Sequence, residues 1–287
     1  MWLFVVNPTA GEIDETEIKR KIKDWAQDHE FTVECYTTNG ATDKKELERL
    51  KRQKSIEAVV SVGGDGTLLL CTEIFMDNHI PIGIIPGGSS NSVAKELNIP
   101  TQINKALSVL SRRSIRQIDL IEINSSQLCL HMADVGVHAQ MIKDYEEENF
   151  SGFSGYFKSA VRTLDEIPIF SYDLQYADHK ERGEAHYLVL SNGQYFGTGV
   201  PINQLGKIDD GWFEICSLKD INKFDLIDWF SDNAKHTMYR VRQAQKCTIR
   251  FSEEVDLQID GEYQGLVNEL SVKCLPEALL VFVPSET

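Results

Sequence analysis

Apolar residues gather early in this chain into short unbroken runs: Trp2 to Val6, Ala58 to Val62 and Ile80 to Ile85. Runs of that length read as strands covered on both faces, as in a parallel sheet. Between them the period changes. Ile18, Ile22 and Trp25 share one face of a predicted helix over Glu15 to His29. Phe31 to Tyr36 alternates like a half-buried strand, and Lys44 to Gln53 reads as a charged helix. Helical patterns recur from Leu68 to Asn78, Val93 to Leu97 and Ile103 to Ser111. Alternating strands and helices predict a parallel sheet with right-handed crossovers.

The texture changes near Ile118. Strand patterns then dominate: Ile118 to Ile123, Gln127 to Ala133, Tyr172 to Ala177, Glu184 to Leu190, Trp212 to Ser217, Lys246 to Phe251, Val255 to Ile259, Glu269 to Lys273 and Leu279 to Val283. Turn residues, Asp210-Gly211 and Asp260-Gly261 among them, separate the strands. Two helices are expected, over Tyr156 to Ile167 and Phe224 to His236. Glu146 to Phe157 reads as a surface loop. The expectation is an α/β domain over residues 1–120 and an all-β, antiparallel, sandwich-like domain over 121–287, the last few residues able to return to the first.

Composition narrows the partners. Lys plus Arg number 29 against 44 for Asp plus Glu, a net charge of −15. That argues against a nucleic acid, which needs a basic face. No apolar run is long enough to span a bilayer, and the first residues read as a strand rather than a signal. Six cysteines are dispersed without a C-x-x-C pair, four of them in apolar runs that read as core, so a reduced, cytoplasmic setting is expected. The seven histidines show no metal-ligand spacing.

The chemistry concentrates where strands meet glycine. Gly63-Gly64-Asp65-Gly66-Thr67 follows the central apolar run. Glycine lets a backbone approach a ligand closely, and successive N–H groups at a helix start form an anion cradle. A carboxylate beside phosphate is useful mainly through a metal ion, which points to Asp65. Asn7-Pro8-Thr9-Ala10-Gly11 and Pro86-Gly87-Gly88-Ser89-Ser90-Asn91 leave the ends of two further strands. Three such loops on one sheet edge form a coherent nucleotide site. Taken singly, each also reads as a strand-ending turn or a capped helix start. Asp256 to Tyr263 and Gln204 to Trp212 each also read as Asp-Gly hairpins.

Together these motifs resemble the diacylglycerol kinase catalytic superfamily, with its bacterial diacylglycerol and YegS-like lipid kinases. The resemblance extends over nearly the whole chain. It implies an NAD-kinase or phosphofructokinase-like first domain and transfer of the γ-phosphate of ATP to a lipid hydroxyl such as that of diacylglycerol. It implies nucleotide contacts at Asn7, Pro8, Thr9, Ala10, Gly11, Thr38, Gly63, Gly64, Asp65, Gly66, Thr67, Ser89 and Asn91. It implies Mg²⁺ organised by Asp65 and Asp119, and a base that is either Asp260 or Glu262. A second, structural Mg²⁺ is implied at the main-chain carbonyls of Lys207 and Trp212 with the Asp210 side chain. Leu69 stands where the family usually has Asn, and Ser92 where it commonly has Asp; a lost carboxylate at Ser92 should weaken Mg²⁺ organisation. Phe150, Phe153, Tyr156, Phe157 and Val161 are candidates for an acyl channel or for plain packing. Local basic clusters, Lys44 to Lys54 and Arg112 to Arg116, are candidate headgroup contacts or solvated faces. The expected partner is a lipid substrate met transiently at a membrane surface, and a homodimer is compatible with the chain. The alternatives are an NAD kinase-like enzyme or a catalytically impaired nucleotide- or lipid-binding regulator.

Overall fold

A computed structural model describes residues 1–11, 14–147, 169–194, 206–219 and 240–285. The expected helices at Tyr156 to Ile167 and Phe224 to His236, the candidate channel residues, most of the loop from Glu146 to Phe157, and Gln204 and Leu205 lie outside them. The chain forms two compact units: Met1–Ile118 joined by the chain's end from Glu277, and Asp119–Pro276.

The first unit is wound around a parallel sheet. In chain order it contains β1 (Trp2–Val6), α1 (Glu15–Asp28), β2 (Val33–Thr37), α2 (Asp43–Gln53), β3 (Ala58–Gly63), α3 (Asp65–Phe75), β4 (Ile82–Pro86), α4 (Ser92–Glu96) and α5 (Ile103–Arg112). The strand order is β2-β1-β3-β4, with Val281 near the chain's end pairing parallel to Ile82. Every residue of β1, β3 and β4 is buried, which explains their unbroken apolarity. Trp2, Phe4 and Val6 point to one face, where they join Ile18, Ile22 and Trp25 of α1 and Leu107 and Leu110 of α5 in one core. Helix α3 packs on β3 from the other face, beside α2. Helices on both faces of a parallel sheet are the doubly wound arrangement the periodicity predicts. Helix α1 starts where Asp14 accepts hydrogen bonds from the Thr16 and Glu17 amides, an ordinary N-cap.

The second unit is antiparallel. Its elements are β5 (Ile115–Ile123, entering from the first unit), β6 (Gln127–Cys129), β7 (Met132–Gly136), α6 (Val137–Glu147), β8 (Phe170–Tyr176), β9 (His179–Ala185), β10 (Tyr187–Ser191), β11 (Phe213–Leu218), β12 (Arg240–Ala244), β13 (Lys246–Ile259) and β14 (Glu262–Phe282, leaving toward the first unit). The order is β12-β11-β10-β7-β13-β14, with β8 added on β13, β9 on β8, and β6 on β5. Ala133, Val135, Leu188, Leu190, Ile215 and Leu257, with β8 and the start of β13, share one apolar core.

The strand boundaries differ from the pattern-based expectation, for physical reasons. Lys246 to Phe251 and Val255 to Ile259 are one strand. Exposed Ser252, Glu253 and Glu254 read as a break, but the ladder to β14 shifts register there and the main chain continues. Before the shift β13 pairs with β8, and after it with β7. A bulge that changes a strand's partner is how an antiparallel sandwich turns a corner. The two expected C-terminal strands are likewise one, β14. Strands β9 and β12 lie at edges of the sheet, where charged residues are common, and their Lys, Arg and Glu content hid them. Helix α6 starts at Val137, immediately after β7. It leaves β7 directly through Gly136, whose φ is +96°.

Candidate active site

The three glycine-bearing loops leave the carboxyl ends of β1, β3 and β4. In the order β2-β1-β3-β4 the crossover that follows β1 leads one way, to β2, and the one that follows β3 leads the other way, to β4. Open α/β sheets bind ligands outside the strand ends at such a switch point. The loops after β1, β4 and β2 each start on a carbonyl at the end of a neighbouring strand. The Asn7 amide donates to Val62 O at 2.9 Å, the Gly87 amide to Gly63 O at 2.8 Å, and the Thr38 amide to Val6 O at 2.9 Å.

Side chains and bare backbone then lock the loops together. Asn7 Nδ2 donates to Thr67 Oγ1 at 3.2 Å, while Asn7 Oδ1 accepts from the Thr9 amide and hydroxyl. A Cβ on Gly63 would lie 2.4 Å from Thr67 Oγ1. A Cβ on Gly11, at φ +59°, would lie 2.3 Å from Gly87 O, and one on Gly88 would lie 2.6 Å from Gly64 Cα. Asn91 closes its own loop: Oδ1 accepts from the Gly88 amide at 2.9 Å and Nδ2 donates to Gly88 O at 2.6 Å. Its φ of +50° is one that Asn tolerates. Pro8 and Ala10 belong to the first loop, and Ser89 is exposed on the third. Thr38 follows β2, and its loop is shaped by buried Asp43, which accepts from the Asn39 and Gly40 amides and the Tyr36 phenol.

Asp65, Gly66 and Thr67 are the first turn of α3, with Gly64 as N-cap, so the helix starts three residues earlier than Leu68. First-turn amides have no intrahelical acceptor and make an anion site. Asp65 has a second task. Its Oδ2 accepts from the Ser92 amide at 3.0 Å and its Oδ1 from the Val93 amide at 3.4 Å, so it caps α4 from another loop. Ser92 serves this contact through its main chain, while its hydroxyl pairs with that of Ser90.

Asp119 lies in the second unit. It is fully buried; its Oδ2 accepts from the Gly211 amide at 2.6 Å and its carbonyl from Asn192 Nδ2. The Asp119 amide donates to Ile208 O. These bonds place Asp119 against the turn from Lys207 to Trp212. In that turn Asp210 Oδ1 accepts from the Trp212 amide at 3.0 Å. Burial, with Asp119 and then Asp210 nearby, pushes the Cys274 thiol up to about 12. Two carboxylates and turn carbonyls are the hard oxygen donors that suit Mg²⁺. Among the described residues no three His, Cys, Asp or Glu side chains converge as a metal cluster.

Asp260 and Glu262 separate clearly. Asp260 stands at φ +49° in the turn from β13 to β14. Its Oδ2 accepts from the Leu130 amide at 2.6 Å, and its Oδ1 from the His131 and Met132 amides at 2.9 and 3.1 Å. Burial raises its pKa above the ordinary carboxylate value, against the pull of those three amides. Glu262 is exposed at the first position of β14.

Residues 1–123 match the family model of the diacylglycerol kinase catalytic domain, and residues 132–283 match that of the YegS C-terminal NAD kinase beta sandwich-like domain. The chain belongs to the diacylglycerol kinase catalytic, YegS-like family. As a member of that family it is a kinase acting on a lipid alcohol. It is 28% identical over 255 residues to a Staphylococcus haemolyticus protein named "Putative lipid kinase", covering 83% of this chain and 80% of that one. A Staphylococcus aureus protein of the same name is 26% identical over 251 residues, covering 82% and 80%. The fold matches a crystal structure of a diacylglycerol kinase from Bacillus anthracis, with TM-score 0.78, 23% identity, and 99% and 96% of the two chains covered. Among the described residues, no helix is long and apolar enough to cross a membrane.

Pattern reading missed Asp43, Asn192 and Gln258. Asp43 carried a signal, since an Asx residue just after Asn-Gly commonly caps a turn. Asn192 and Gln258 carried none, because their burial depends on which strands flank them.

Proposed function

We propose that this protein transfers the γ-phosphate of ATP to a hydroxyl of a membrane lipid, with diacylglycerol as the expected acceptor. The observation that carries this reading is the locked set of loops at Asn7, Gly63 and Gly87. Backbone meets backbone there so closely that side chains are excluded, and the start of α3 opens onto the loops. Asn7 to Gly11, Thr38, Gly63 to Thr67, Ser89 and Asn91 would hold the nucleotide. Asp65 in the first unit and Asp119 in the second are each candidates to hold Mg²⁺, which when bound neutralises charge on the phosphate oxygens. Asp210, with the Lys207 and Trp212 carbonyls, would hold a structural cation.

Of the two candidate bases, Glu262 fits the role better. Phosphoryl transfer needs a residue that orients the acceptor hydroxyl and takes its proton. The Asp260 oxygens already accept three main-chain amides, so Asp260 shapes the turn and Glu262 is presented by it. All six cysteines are free, five of them buried, which fits a reducing cytoplasm. Contact with the membrane would be peripheral and transient.

The test is phosphate transfer from labelled ATP, with Mg²⁺, into a mixed lipid extract resolved by chromatography. A labelled lipid that vanishes with Glu262→Gln is expected. ATP binding without any labelled lipid would overturn the proposal and make NAD the next acceptor to try.

A further inference from the structure

Asp134, in the middle of β7, has a fully buried carboxylate. Its Oδ2 accepts from His138 Nδ1 at 2.7 Å, from the Tyr187 hydroxyl at 3.2 Å and from Gln258 Nε2. Its Oδ1 has no hydrogen-bond partner among the described residues. Burying a carboxylate costs free energy, which these hydrogen bonds to Oδ2 offset.

Gln258 shows what the network reaches. It lies opposite Asp134 in the ladder between β13 and β7 and is 2% exposed. While its Nε2 donates to Asp134, its Oε1 accepts from the Gly261 amide at 2.7 Å. One side-chain amide therefore joins the buried carboxylate to the main chain immediately before Glu262. That turn places Asp260 at φ +49° and Gly261 at φ +89°, two successive left-handed residues. Asp-Gly adopts such a two-residue hairpin turn readily, and two side chains fix where it sits. Asp260 ties it to residues 130–132, and Gln258 ties it to β7 and, through Asp134, to the first turn of α6.

We propose that His138, Asp134 and Gln258 are positioning residues, a relay from α6 through β7 that fixes the Gly261 main chain and so aims Glu262. The proposal rests on the reading of Glu262 as the base. The relay itself can be judged without that reading.

Two variants of the full chain test it. Gln258→Met keeps length and burial but breaks both bonds. Amide exchange across 259–263 is expected to accelerate about tenfold or more relative to the rest of β13, since a lost bond frees a local opening. Turnover on the lipid that the transfer assay identifies should fall by about 10- to 100-fold with the KM for ATP unchanged, as for a misaimed base. Gln258→Glu keeps the acceptor for Gly261 but sets a second carboxylate against Asp134. Its turnover relative to wild type should rise as pH falls and the new carboxyl can donate again, whereas the Gln258→Met ratio should stay flat. Facing this position are Asp134 on β7, His138 on α6, Tyr187 on β10 and Tyr263 on β14, with the Lys143–Asp256 pair beside them. The ratio to wild type is read so that pH effects common to all three proteins cancel.

Unchanged exchange at 259–263 in folded Gln258→Met overturns the relay. Faster exchange with unchanged turnover overturns its role in aiming Glu262 and leaves the kinase reading intact. If wild type phosphorylates no lipid, the kinase reading falls and the exchange result alone upholds or overturns the relay. If Gln258→Met does not fold, exchange in Gln258→Glu decides, and protection that fails to decrease with rising pH overturns the proposal.

Discussion

Glycine does opposite work in the loops after β1 and β4 of the first unit and in the Asp260-Gly261 turn of the second. In the first, Gly11 and Gly88 stand where a Cβ would strike backbone, at 2.3 and 2.6 Å, so the residue is needed for closeness. In the second, a Cβ on Gly261 would meet nothing within 4 Å, and the residue is needed for its φ of +89°. The motif aspartates are alike instead. Asp65 and Asp260 each bind amides of a distant segment, α4 in one unit and residues 130–132 in the other. A glycine-rich loop is held where backbone packs on backbone, whereas the Asp-Gly turn, a pair that favours its conformation by itself, is located by the side chains that bind it.

The largest expected effect lies at the tip of the second unit's turn. Glu262→Gln should lower lipid phosphorylation by about 10² to 10⁴, the usual range for a lost general base. The exposed site should keep unfolding free energy within about 0.5 kcal/mol of wild type. A fully active Glu262→Gln would return the role of base to Asp260 and blur the contrast between anchor and base.

Next comes the glycine contrast itself. Gly88→Ala must push two backbones apart, at about 1–3 kcal/mol as overpacking does, and should weaken ATP binding measured by titration calorimetry. Gly261→Ala meets only conformational strain, about 1–2 kcal/mol, and should leave ATP binding unchanged. Equal losses of ATP affinity would break the distinction.

Asp260→Asn should cost about 1–3 kcal/mol, because its NH₂ would face a main-chain donor and leave that amide unpaired. Urea unfolding measures it. Asp65→Asn is expected to loosen α4 as well as impair transfer, since the same carboxylate caps that helix.

The smallest effect is a difference in pH dependence. Burial raises Asp43, but the Asn39 amide, the Tyr36 hydroxyl and the Gly40 amide outweigh it and hold Asp43 below the ordinary value. Its contribution to stability is present above the unfolded value near about 4 and lost as pH falls through the folded one. Asp260 is raised, so its contribution is present below about 4 and lost as pH rises through the folded value. The cost of Asp43→Asn should therefore shrink in acid, and that of Asp260→Asn should shrink toward neutral pH. Unfolding midpoints between pH 3 and 7 decide; parallel profiles would remove the opposition between the two anchors.

Much of the first unit was legible because its signals are local. Unbroken apolar runs, helical periods and glycine loops sit within a few residues of one another, and strand ends in a parallel sheet gather at one edge by topology alone. The second unit was harder. Charged edge strands β9 and β12 looked like loops, a bulge at residues 252–254 looked like a strand end, and α6 follows β7 without an intervening loop.

The sequence by itself determined the two-unit plan, the three loops and the short set of acidic residues worth testing. It left Asp260 and Glu262 equal, and it hid Gln258 as an ordinary polar position on a strand. Only the tertiary structure separated them. Hydrogen-bond donors from residues 130–132 reach Asp260 across a sequence distance of 128 to 130, and Asp134 reaches Gln258 across 124. A carboxylate's role depends on which donors surround it, and those donors converge only when distant strands pair.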